Sequence, residues 1–291
     1  MLKEPAPPAI APPPPLPPQP RVAPSRANKR ASNPAGGDGT SRSVALYYVV
    51  AGVMFLTLLL TRGLNSRSAV LALAAIFSNT VMIGVPLVQF AYGQDGLMHL
   101  FTLISMHSLT LLTLATVVLE LLVAREQAAS GTAPRRHIAA TVAQAIKNAV
   151  LHPIPLPIIV GWLYALTGIG LHPVVERPLK LLGDAFGPVA LVLVGLTLAQ
   201  ASIGPHLKGA LAISALKLVA HPLLMAGAGW ALGLGGLPLT VMVVAAALPV
   251  GANVYLFSQR YQKAEDLVTA SVAVSTVVAV LTISGVMGVL R

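Results

Sequence analysis

The sequence predicts an all-α polytopic membrane protein, and three observations carry that expectation. The composition is 55% hydrophobic and 10% charged, with a mean hydropathy of +0.79, outside the range of soluble globular domains. From Val44 onward, apolar stretches long enough to cross a bilayer recur between short polar connections. Two of these stretches carry helix breakers at mid-span, SNTVMIGVP at 78–86 and ALPVGAN at 247–253. In hydrocarbon an unpaired backbone N–H or C=O costs several kcal/mol, so such breaks persist only beside protein or a polar cavity. A matched pair of interrupted spans in the two halves of a chain points to the binding site of a transporter.

Residues 1–43 read as a separate polymer. Ten of the sixteen residues from Pro5 to Pro20 are proline, and a basic, Gly/Ser-rich stretch follows. Polyproline II character and disorder are expected there, and the lack of an apolar core excludes a signal peptide. Eight spans follow, at 44–61, 69–92, 97–123, 148–169, 178–201, 207–233, 237–259 and 266–290. The first opens on Tyr47 and Tyr48, the expected mark of an interfacial aromatic belt. A polar loop at 124–147 separates the third span from the fourth.

Loop charge sets an orientation. With 124–147 cytoplasmic, nine basic residues lie on that side: Arg62, Arg67, Arg125, Arg135, Arg136, Lys147, Lys208, Arg260 and Lys263. The other side holds three, Arg177, Lys180 and Arg291, which is a positive-inside bias. Six further basic residues in the tail break the pattern. The net charge of +10 therefore resides in tail and loops, and nucleic acid is not an expected partner; the lipid bilayer is. Spans one to three and six to eight each enclose an interrupted helix, five spans apart, so the two triplets run in opposite directions. That is an inverted repeat. Two five-span units need ten spans, and the two missing ones belong where the tail stands. The chain has no cysteine, and no H-E-x-x-H, G-x-S-x-G triad or P-loop. Neither an enzyme nor a cofactor is expected.

The two interrupted spans belong to an ordered series of motifs: FSNTVMIGVPL at 77–87, MHSL at 106–109, KLLGDAFGPVAL at 180–191, VGLTL at 194–198, LKLVAHP at 216–222 and AALPVGAN at 246–253. From about residue 44 to 291 this series resembles the auxin efflux carrier family, whose bacterial members include malonate-type transporters. The resemblance implies a carrier of two inverted five-helix repeats whose fourth and ninth helices, matching spans two and seven, are broken and cross to form the substrate site. It further implies a transport domain split between 44–123 and 202–291, scaffold helices at 148–201 that in the family mediate dimerisation, and no counterpart here of the first two helices. The function so implied is secondary transport of a small organic anion, a carboxylate, through a multi-pass protein of the cell's inner (plasma) membrane. A second expectation is a truncated remnant that inserts without transporting.

The candidate substrate-binding residues follow from the crossing. Pro86 and Pro249 remove backbone donors, while Gly84 and Gly251 admit close approach. The half-helix N-termini so created suit a carboxylate, and the alternative is a plain kink. Asn79 and Asn253 either contact substrate, as the family's motif positions imply, or bridge helices and recap their broken ends. Lys217, ten residues into span six, either attracts the anion or bonds the carbonyls freed by Pro222. His107 in span three, like His221, either couples protons to transport or packs as a hydrogen-bonded core histidine. Glu120 and Asp184 read as interfacial. Spans two and seven contain no carboxylate, which argues against a sodium-coupled carrier of the related bile-acid type.

Overall fold

The computed structural model describes residues 36–107, 110–111, 113–130, 140, 143, 147, 155–199 and 203–290. The disorder expected for 1–35, most of the loop at 124–147 and the start of span four lie outside these residues. Among the described residues the fold is all-α, with no strand beyond a single isolated bridge.

Helix α1 (Gly36–Arg62) begins eight residues before the expected start of the first span. The helix thus extends into the segment expected to be tail, for a tertiary reason. Thr40 Oγ1 lies 2.9 Å from His99 Nδ1 and Ser43 is buried, and such packing overrides composition. A turn at 63–65 leads to α2 (Ser66–Ile76), capped by Asn65 Oδ1, which accepts from Ser68 N–H at 2.8 Å. Eleven residues make a helix of about 16 Å, half a bilayer. A π-helical turn (Thr80–Gly84) continues into α3 (Val85–His107). Gly93 interrupts α3 at φ 62°, a backbone conformation glycine adopts without cost, and span two gives way to span three there. Helices α4 (Thr113–Ala129), α5 (Pro155–Leu166) and α6 (Pro173–Ala199) follow.

The second half opens with one run through Gly204–Ala231. It comprises a 3-10 turn, α7 (Leu207–Ala215), a π turn (Leu216–Ala220) and α8 (His221–Ala231). Then come α9 (Gly236–Ala247), α10 (Ala252–Tyr261) and α11 (Glu265–Val289). Among the described residues, three runs are long and apolar enough to cross a membrane: Gly39–Arg62, Gly204–Ala231 and Glu265–Val289. Two shorter apolar helices, α2 and α9, are the first halves of the interrupted spans.

Packing reports the relative direction of these runs. α1 starts near His99 and Pro238 and ends beside Gly209 and Leu267. The Gly204–Ala231 run starts at that second end, so the two lie in opposite senses. At the same end Glu126 of α4 accepts from Ser66 N–H at 2.6 Å and Ser66 Oγ at 2.8 Å, and lies 3.4 Å from Lys263 Nζ. Glu120 accepts from Tyr261 Oη at 3.1 Å. The connections that loop charge assigns to one side thus meet in space. Outward, α1 presents Val49, Val53, Leu56 and Leu60, and α11 presents Val277, Val280 and Leu281. Continuous apolar faces of this kind are what a bilayer covers.

Candidate functional site

The two breaks meet. α2 ends at Ile76, and Phe77 continues as extended chain at φ −81°, ψ 112°. α9 ends at Ala247, and Leu248 is extended at φ −63°, ψ 152°, as the steric demand of the following Pro249 requires. The segments run antiparallel and pair Ser78 with Val250. Asn79 N–H donates to Pro249 O at 2.9 Å, and Gly251 N–H donates to Phe77 O at 2.9 Å. Each break supplies what the other lacks, which is how irregular backbone persists at this depth.

Both glycines serve the approach. A Cβ on Gly251 would lie 2.7 Å from Phe77 Cδ1 and 3.0 Å from Ser78 O, and one on Gly84 would lie 2.8 Å from Leu248 Cδ1. Hydroxyls from flanking helices complete the pairing. Tyr47 Oη of α1 lies 2.8 Å from Ser78 Oγ, and Val250 N–H donates to Ser275 Oγ of α11 at 3.0 Å. Tyr48 donates to Leu103 O at 2.9 Å. The belt reading of Tyr47 and Tyr48 is overturned. Tyr47 is fully buried eleven residues into α1, because the helix starts earlier than hydropathy suggests and the phenol finds a partner at the crossing.

The prolines play unequal parts. Pro249 stands in the break and gives its carbonyl to the bridge. Pro86 does not break the helix: it is the second residue of α3, beyond the π turn. The first break lies at 77–79, and Asn79 restarts the chain. Its backbone O accepts from Gly84 N–H at 3.0 Å and Ile83 N–H at 3.3 Å, and its Oδ1 accepts from Met82 N–H at 3.3 Å. Its structural role, recapping a broken end, is thereby realised. Asn253 differs. It is the second residue of α10, half-buried, and its carboxamide has no hydrogen bond among the described residues. Gly251, before it, provides no side-chain cap.

Lys217 is fully buried in the π turn. Its Nζ donates to Ala246 O at 2.5 Å and lies 3.4 Å from His221 Nδ1. In an unbroken helix Ala246 O would accept from residue 250, whose N–H has gone to Ser275. Lys217 therefore caps a carbonyl freed by the break in α9, not one freed by Pro222. His107 closes α3 with its ring 4.5 Å from Phe77 and 5.8 Å from Tyr47. Both of its nitrogens, and Nε2 of His221, are buried without a hydrogen-bond partner among the described residues. The structure thus gathers Asn79, Gly84, Pro249, Gly251, Lys217 and His107 around one crossing. Sequence reasoning missed Tyr47, Ser78 and Ser275, and hydroxyl residues inside apolar runs were the signal available. No cluster of metal-ligating side chains occurs among the described residues.

A family profile described as "Membrane transport protein" matches residues 42–287. A "Putative malonate transporter" of Rhizobium meliloti is 27% identical over 255 residues, covering 86% of this chain and 76% of that protein. An "Uncharacterized transporter" of Methanothermobacter thermautotrophicus is 25% identical over 223 residues, 76% of this chain and 68% of its own. "Auxin efflux carrier component 3a" of Oryza sativa subsp. japonica is 33% identical over 113 residues, 38% of this chain and 18% of that one.

Proposed function

The chain belongs to the membrane transport protein family of auxin efflux carriers, and from that premise we propose that it is a secondary carrier of a small organic anion. The observation that carries the reading is the crossing of two half-helices. One restarts at a self-capping Asn79, and the other begins without a side-chain cap beside an unpartnered Asn253. Helix N-termini favour anions through their dipole and unpaired N–H groups, and a carboxamide adds a donor. A carboxylate suits that set, and the similarity to a protein named for malonate transport agrees with it. Asn253 is the principal contact, with Asn79 Nδ2 the second. Gly84, Gly251 and Pro249 shape the backbone around them, while Lys217 and Pro86 support it from behind.

Transport takes place by rocking or elevator motion of the crossing and its flanking helices, formed from 44–123 and 202–291, against scaffold helices at 148–201. The protein resides as a multi-pass component of the cell's inner membrane and forms a homodimer through the scaffold. His107, whose two buried nitrogens have no partner among the described residues, is the candidate carrier of a coupled proton.

Uptake of radiolabelled malonate into proteoliposomes tests this. A charge-assisted hydrogen bond contributes about 1.5–3 kcal/mol, so Asn253→Ala should reduce flux at low substrate by roughly 10- to 100-fold. Asn79→Ala should reduce it while also lowering stability. Undiminished flux in both variants would remove the crossing from the transport path. Imposing a pH gradient on the same vesicles reads the coupling, which predicts gradient-driven accumulation in wild type and none in His107→Ala.

A further inference from the structure

A cavity of about 360 Å³ lies between the facing ends of α1, α2, α7 and α11. Its mouth carries Arg62 and Arg67, one on each side of the turn at 63–65, and its walls include Leu58, Leu71, Leu216 and Leu267. Leu58 and Leu71 lie four residues inward of the two arginines along α1 and α2, about 6 Å at the rise of an α-helix. The charged and apolar parts are thus separated along the cavity's depth. No carboxylate lines it, and neither guanidinium has a carboxylate partner among the described residues. The nearby Glu126 is committed to Ser66 and Lys263.

We propose that this cavity binds an anionic phospholipid of the adjoining leaflet, its phosphate held by Arg62 and Arg67 and its hydrocarbon entering between the four helices. Two guanidiniums offer up to ten N–H donors in forks suited to phosphate oxygens. The wall behind them has few polar groups to match a second charge, so a small dicarboxylate would leave a charge unpaired in an apolar slot. A phospholipid meets both ends. The loop-charge bias places this mouth on the cytoplasmic side, where anionic headgroups attract basic sites between helices. The exposed faces of Leu56 and Leu60 on α1 continue the apolar surface outward from the mouth toward the bilayer.

The test is lipid binding by the full chain in neutral detergent, followed by native mass spectrometry and by melting temperature. It is independent of transport. Phosphatidylglycerol should leave one saturable bound lipid and raise the melting temperature, while phosphatidylcholine should do neither. Arg62→Gln/Arg67→Gln should weaken phosphatidylglycerol binding at least tenfold. Ala72→Phe, which fills the cavity without altering charge, should do the same, whereas Arg260→Gln at the same end should not. Unfolding of each variant without lipid identifies any that fail to fold, and either cavity variant suffices. Three results overturn the proposal: unchanged binding in the folded variants, equal binding of both lipids, or inorganic phosphate reproducing the full melting shift.

Discussion

At the crossing, individual side chains act mainly as substitutes for missing backbone partners. Lys217 stands in for the N–H that Ala246 O lost when Val250 turned to Ser275. Lys217→Met should therefore strand a buried acceptor and cost about 1–3 kcal/mol, read as a lower unfolding midpoint in detergent. Tyr47→Phe removes one hydrogen bond and leaves the Ser78 hydroxyl to its neighbours, for about 1 kcal/mol in the same assay. Gly251→Ala should be worse than either, since its Cβ would press on Phe77 and on the carbonyl of Ser78. Asn79, Gly84, Gly251 and Pro249 were legible in the sequence, because breakers in an apolar span have few other uses. Tyr47 was not. Its meaning depends on where α1 starts, and a Gly/Ser-rich segment carries no helical signal that would move the start back to Gly36.

The elements show why two superficially matched breaks are built differently. In the second half Pro249 ends α9 by steric exclusion of helix at Leu248. In the first half no proline stands at the break, and the chain restarts through Asn79 and a π turn before Pro86 is reached. Counting prolines gives the symmetry; locating the broken hydrogen bonds gives the difference. Short helices such as α2 also need anchoring at their outer ends, and Glu126 supplies it. The Ser66 backbone N–H, aided by the Ser66 hydroxyl and Lys263, holds the Glu126 carboxyl below its usual value near 4.5. A carboxyl lowered by folding stabilises the folded state at pH above its unfolded value, and that contribution is lost as pH falls through the lowered one. Wild type should therefore exceed Glu126→Gln in melting temperature at neutral pH, and the gap should close below about pH 4.5. A gap independent of pH would assign the tie to packing.

For the molecule as a whole, span order and loop charge predict the inverted arrangement, and the opposite senses of α1 and the Gly204–Ala231 run agree with it. It predicts opposite-sided chemistry. The chain contains no cysteine, so Arg260→Cys and Gln94→Cys each introduce a single thiol at exposed sites on opposite ends. An impermeant maleimide should label the first only from the cytoplasmic side and the second only from the other. Labelling of both from one side would contradict the inverted repeat. What neither order nor charge discloses is that the hydrogen bonds joining the repeats at their centre run from main chain to main chain. Phe77 O waits for Gly251 N–H, and Asn79 N–H waits for Pro249 O, partners roughly 170 residues further along. At ordinary rates of synthesis that is an interval of about 10–30 s. Throughout it, the newborn first repeat holds an open peptide pair at hydrocarbon depth. Biogenesis of this protein must therefore shelter an unfinished crossing, whether by delayed release from the insertion machinery or by temporary water, until the second repeat arrives to close it.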